Sequence, residues 1–222
     1  MPLKPFPHDR DYGEMEQVLH AYLGQTADDT PEERSTALEA YLRHTWHTRP
    51  WVISIGARQV AEFAKFPPSD VRIRLGEYFH LPDTGLPQEK IQSWLECVAG
   101  HLRASVDSAE APEYLTPQTH WEWHARFPEL GQLLGGWFSQ GMPEEFGDHA
   151  GAVADYRAST APGLVARLIG ELHELLGLNL DEADYAVATV ELGMEVEPPD
   201  SLSHGAWFAA LPGLLAEPAA AE

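Results

Sequence analysis

The side chains of this chain with chemistry to offer are its histidines, its one cysteine and a large excess of carboxylates. His120 and His124 in HWEWH stand four apart, which puts both on one face of a helix, as a metal pair needs. Glu122 falls on another face. The order is therefore not the His-Glu-x-x-His of zinc peptidases, and no third ligand is near in sequence. His44 and His47 in RHTWHTR sit among arginines that repel a cation. Cys97, in IQSWLECVAGHL, is surrounded by apolar residues and is expected to be a buried structural thiol rather than a nucleophile. Cys-x-x-Cys, the P-loop, Gly-x-Gly-x-x-Gly and Gly-x-Ser-x-Gly are absent. We expect no metal, no cofactor and no enzymatic activity, with a histidine-based metal enzyme as the competing reading.

The carboxylates carry more. The formal net charge is −21. Residues 1–110 hold 11 basic and 17 acidic groups; residues 111–222 hold 3 and 18. A surface of that sign repels nucleic acid and anionic membrane and attracts a basic protein. Acidity that serves only solubility is the plain alternative. Glu144, Glu145 and Asp148 crowd one turn beside Phe146, an aromatic with a charged rim, as in a protein-binding patch. Asp155, Glu171 and Glu174 are expected on the polar faces of the next two helices, and Asp181, Glu182, Asp184 and Glu191 on a further acidic face. Together, Glu144, Glu145, Phe146, Asp148, Asp155, Glu171 and Glu174 form the predicted partner-binding set. Taken singly, each of these acids also suits a solvated helix face or a helix N-terminus.

The elements that must position them repeat. Offset by 115 residues, Glu14, Gln17, Leu19 and Gln25 fall on Glu129, Gln132, Leu134 and Gln140, and ALEAYL (37–42) falls on AVADYR (152–157). An offset of 117 puts Leu75-Gly76 on Leu192-Gly193, and one of 113 puts Trp94, Leu95, Val98 and Leu102 on Trp207, Phe208, Leu211 and Leu215. Such self-similarity predicts a tandem array: a first repeat at 1–103, a linker at 104–126, and an acidic second repeat at 127–222. Leu130, Leu133, Leu134, Trp137 and Phe138 follow the helical period, with Pro128 suited to the first turn. The second helix is PEERSTALEAYLRHT in the first repeat, with Thr30 as its cap, and DHAGAVADYRAST in the second, with Asp148. The third is PWVISIGARQVAEFAKF in one repeat and GLVARLIGELHELLG in the other, the latter closed by Gly177. The fourth is SDVRIRLGEYF or DEADYAVATVELG. The fifth is PQEKIQSWLECVAGHL or SLSHGAWFAALPGLLAE, where Pro212 is expected to kink or shorten the helix. Gly135-Gly136 suggests close helix packing. No alternating strand pattern recurs, so the expected fold is all-α, two small tandem bundles of about five helices each. No apolar run is long enough to span a membrane, and the proline-broken start lacks an apolar core, so neither a transmembrane helix nor a signal peptide is expected. A single cysteine fits a reducing cytoplasm.

The stretch LGQLLGGWFSQGMPEEFGD, followed by AVADY, a leucine-rich helix and a Leu-Gly before the last helix, resembles the CdiI-type immunity proteins of contact-dependent growth inhibition systems. The aromatic pair is Trp137-Phe138 and Gln140 fits the pattern, whereas Ser139, Gly141 and Met142 replace the usual residues. The first repeat keeps Tyr22, Leu23 and Gln25 but lacks the acidic aromatic turn, as in a diverged copy. The resemblance implies a cytoplasmic antitoxin that binds the toxic C-terminal domain of a delivered effector and blocks it. Many such toxins are nucleases with basic substrate surfaces, and an acidic inhibitor matches them. A general scaffold of two helical bundles, without a toxin partner, is the other reading of the same residues.

Overall fold

The computed structural model describes residues 7–65, 85–199 and 201–216. Among them every regular element is helical: α1 (Pro7–His20), α2 (Thr36–Thr48), α3 (Trp51–Phe63), α4 (Gln88–Ser108), α5 (His120–Arg126), α6 (Pro128–Trp137), α7 (Met142–Phe146), α8 (His149–Ser159), α9 (Pro162–Gly177), α10 (Glu182–Glu191) and α11 (His204–Ala216). The chain divides into two compact units, Met1–Glu122 and Trp123–Glu222. The expected helix SDVRIRLGEYF, and with it Leu75-Gly76, lies outside the described residues.

In the first unit α3 packs against α1 and α4. WVISI, whose β-branched residues suit a strand, opens this helix: Ile53, Ala57 and Val60 recur at helical spacing and are buried. They meet Met15, Val18, Leu19 and Tyr22 of α1, Leu38, Tyr41 and Leu42 of α2, and Leu95, Val98 and Leu102 of α4 in one core. The α2 N-terminus differs from the expectation. Thr30 closes a local turn, its Oγ1 accepting from Glu33 N. Ser35 is the cap, accepting from Leu38 N at 3.2 Å. Thr30, Ser35 and Thr36 all stand near the start, and Ser35, directly before the first helical residue, caps it.

Residues 104–126, expected to link the repeats, are largely structured. The last turns of α4 reach Ser108. Pro112 O accepts from His47 at 2.7 Å, and the Tyr114 ring stacks on His47. Glu122 is fully buried against Arg43, with contacts of 2.7 and 2.9 Å, a two-pronged pair inside the first unit.

In the second unit α9 packs against α6 and α11, while α8 lies against α6, α7 and α11. Leu130, Leu133, Leu134 and Phe138 are fully buried, as their spacing predicts, and Pro128 opens α6. Leu168, Leu172 and Leu175 of α9 join them with Trp207, Phe208 and Leu211 of α11, whereas Leu164 is 42% exposed. One expectation about ends fails, and one half of another. Gly177 closes no left-handed turn; Asn179 does, at φ 53°, a conformation its short amide tolerates. Of the two effects expected of Pro212, a kink or a shortening, the shortening does not occur, because α11 continues to Ala216. Gly135 supports the close-packing expectation, because Gly193 Cβ, if present, would lie 3.1 Å from Gly135 Cα.

The same device recurs in both units. Gln59 Oε1, on α3, accepts from the backbone N–H of Glu14 and Met15 at 2.9 Å. Glu171 Oε2, on α9, accepts from Glu129 and Leu130 at 2.9 Å. The donors are the residues aligned by the 115-residue offset. Tyr41 and Tyr156, also so aligned, are both buried phenols raised above their usual range by burial and then by the nearby Glu14 or Glu129.

Candidate partner-binding surface

The acidic turn is built by short-range geometry. α7 is a single helical stretch with Pro143 in its first turn, and Met142 is buried beneath it. Phe146 is half-buried and packs against the core, so it anchors the turn from inside instead of standing out as a hot spot. Gly147 then reverses the chain at φ 81°. Asp148 caps α8, accepting from Gly151 N at 2.8 Å. Gly151 passes so close to Phe146 that a Cβ there would sit 2.2 Å from the Phe146 carbonyl oxygen. Glu144 and Glu145 project from this frame, exposed, and enter no ion pair or cap among the described residues.

A second acidic segment runs beside the turn, which sequence order did not suggest. Glu195 N donates to Phe138 O at 2.9 Å, and Gln140 N donates to Glu195 Oε2 at 3.0 Å. His149 Nε2 donates to Glu197 O at 2.8 Å, while the Glu197 carboxylate is 91% exposed. Nothing in the local pattern of Glu195 or Glu197 marks them; their place follows from the backbone pairing. His204 lies between Glu197 (3.8 Å) and Glu182 (3.3 Å), and Glu182 in turn caps α11 by accepting from the N–H groups of His204 and Gly205.

The other predicted acids have internal work. Asp155 is exposed but accepts from Trp137 Nε1 at 2.9 Å. Glu174 is half-exposed and pairs with Arg126 at 2.7 Å. Glu171 is a correction. It was expected on a polar helix face, yet it is 7% exposed and its carboxylate satisfies the start of α6. α6 begins at Phe127-Pro128 without a side-chain cap of its own, so its first N–H groups need a remote acceptor. Asp181 likewise caps α10, accepting from Asp184 N at 2.9 Å. Part of the acidity of this unit therefore serves helix ends. The arginines of the second half are also engaged: Arg126 with Glu174, Arg157 with Leu214 O, and Arg167 with Glu129 and Glu171.

Burial pushes the Glu171 carboxyl up to about 7, against the two backbone N–H groups and Arg167, which pull it down. The folded state thus holds this proton more tightly than the unfolded chain. The contribution of Glu171 to stability falls as pH rises from the ordinary carboxylate value near 4.5 to about 7, and is level on either side. Glu171→Gln should remove that slope, which amounts to no more than about 3 kcal/mol. Gln59, a neutral group, already fills the corresponding place in the first unit. Urea unfolding of both proteins across pH 4 to 8 checks this, and parallel profiles would exclude it.

Among the described residues no group of three or more His, Cys, Asp or Glu is arranged to hold a metal ion. His124 Nε2 donates to Glu191 O at 2.8 Å, and the His124 ring fills the space over Gly131. No described helix is long and apolar enough to cross a membrane.

Residues 126–215 match the model of the CdiI immunity protein family. No curated protein and no solved structure matches the chain. The matched span covers α6 to α11 together with the acidic turn and nearly all of the second unit. Through that unit the chain is similar to the CdiI immunity proteins.

Proposed function

We propose that the second unit binds the toxic C-terminal domain of a cognate effector in the bacterial cytoplasm and neutralises it as an inhibitor, without catalysis. The family match over residues 126–215 carries this reading, and the exposed carboxylates of Glu144, Glu145, Asp148, Glu195 and Glu197 supply a surface suited to a basic partner. If the toxin is a nuclease, these groups take the place of nucleic-acid phosphates before its arginines and lysines. Asp155 and Glu174 are exposed and, like Asp148 and Glu195, also hold internal partners, so they remain part of the set. Glu171 is not part of the face, and Phe146 contributes by fixing the turn. Neither nucleic acid nor membrane is a partner in this reading. The first unit is a diverged copy that retains the scaffold; the Gln59 and Glu171 caps on aligned donors support this.

The test is co-purification and growth rescue with the C-terminal domain encoded by the adjacent effector gene. Association should slow as salt rises, because exposed charges are screened over about 8 Å at physiological ionic strength. Glu144→Gln with Glu145→Gln should lower the association rate about tenfold and flatten its salt dependence, leaving stability unchanged. A pair that neither binds nor rescues removes the proposal, and a salt-independent rate removes its electrostatic part.

A further inference from the structure

A cavity of about 490 Å³ opens between the start of α8 and α11, lined by Asp148, His149, Pro199, Leu202, Trp207 and Leu214 among others. Pockets of roughly 300–1,000 Å³ hold small ligands or inserted side chains. Its walls are mostly apolar. The Trp207 indole forms one of them, with the His149 ring set edge-on at 5.3 Å between centroids. That ring is fixed, because His149 Nε2 donates to Glu197 O. The rim is anionic. Asp148 Oδ1 caps α8 through Gly151 N, and its other oxygen takes no part in the cap. Glu197, on the segment tied to His149, extends its carboxylate into solvent.

Mostly apolar walls with the Asp148 carboxylate among the described lining residues match one kind of side chain: long, aliphatic along its stem and cationic at its tip. We infer that this cavity receives an arginine of the toxin domain, its stem lying along Trp207 and Leu202 and its guanidinium reaching Asp148 at the rim. Arginine fits better than lysine, since its planar fork pairs with a carboxylate and packs on an aromatic face. A fully apolar anchor would desolvate the Asp148 oxygen that the α8 cap does not use and give it nothing in return. The cavity shares Asp148 with the acidic turn described above; the identity of the arginine's donor rests on the immunity reading.

Two measurements separate the cavity from that reading. The first titrates the full chain, labelled with nitrogen-15, with arginine ethyl ester or norleucine ethyl ester. Arginine ester should move the Ala150, Ala210 and Trp207 signals saturably, and norleucine ester should bind at least about threefold more weakly. Ala210→Trp, which fills the cavity, should abolish the shifts. Asp148→Asn keeps a capping side chain and should erase the preference for arginine. Absence of a saturable shift, or equal binding of the two esters, overturns the inference. The second measures affinity for the adjacent effector's C-terminal domain. Ala210→Trp and Asp148→Asn should each weaken it about tenfold or more. If the wild-type chain binds the toxin and both variants bind it equally well, the cavity is not the anchor and the immunity reading survives. If arginine ester saturates the cavity but the toxin is not bound, the immunity reading fails and the arginine site stands.

Discussion

Glu122→Ala should unfold the first unit well before the wild type, lowering its stability by about 3–5 kcal/mol. Arg43 and Glu122 are 6% and 0% exposed and meet through two contacts at 2.7 and 2.9 Å. Removing the carboxylate strands a buried guanidinium that cannot shed its charge, since Arg43 is raised further above its already high value chiefly by its hydrogen bond to Glu122. The loss also frees Gln118 N, which donates to Glu122 Oε2 at 2.9 Å. Against a typical domain stability of about 5–15 kcal/mol this is a large fraction. Replacing both partners by apolar residues, Arg43→Met with Glu122→Leu, should recover most of the loss, because the desolvation penalty of the pair disappears with its attraction. Urea midpoints followed with a probe in the first unit test both statements. A single variant as stable as the wild type would mean the pair is not buried in solution.

Gly151→Ala should collapse the acidic turn. A methyl group there would lie 2.2 Å from the Phe146 carbonyl oxygen and 3.3 Å from its carbon. Those are backbone atoms, so no rotamer change relieves the clash; the Phe146–Asp148 turn must open, and the Asp148 cap goes with it. We expect a loss of about 2–4 kcal/mol, from overpacking and a lost cap together, and toxin binding impaired more than the stability loss alone explains. Gly170→Ala is the control. Gly170 is an exposed glycine within α9 with nothing within 4 Å of its Cβ position, so alanine should raise stability by about 0.4–1 kcal/mol. Thermal unfolding of the two variants should therefore move in opposite directions, and a Gly151→Ala protein with wild-type melting would contradict the turn geometry.

The helical class and most of the core were legible because both depend on local period. Leu130, Leu133 and Leu134 share a face at any helical pitch, and burying that face is the largest favourable contribution open to the chain. Asp148 was legible as a cap for the same reason: its acceptor and the N–H it meets are three residues apart. The choice of Ser35 over Thr30, and of Asn179 over Gly177, depended on where each helix stopped, and that is decided by packing as much as by the end residues.

The acidic set divides along the same line. Excess charge in the second half, its gathering at Glu144 and Glu145, and the family pattern around Trp137-Phe138 were determined by sequence alone. Tertiary structure decided which carboxylates are free. It turned Glu171 inward to close a helix that begins more than forty positions away. It brought Glu195 and Glu197 beside the turn and shaped the cavity over Trp207. Periodicity and capping act within a few residues, where covalent geometry already places the partners. The direction of a charged side chain depends on which remote backbone group lacks a hydrogen bond, and only the folded chain brings that group within reach.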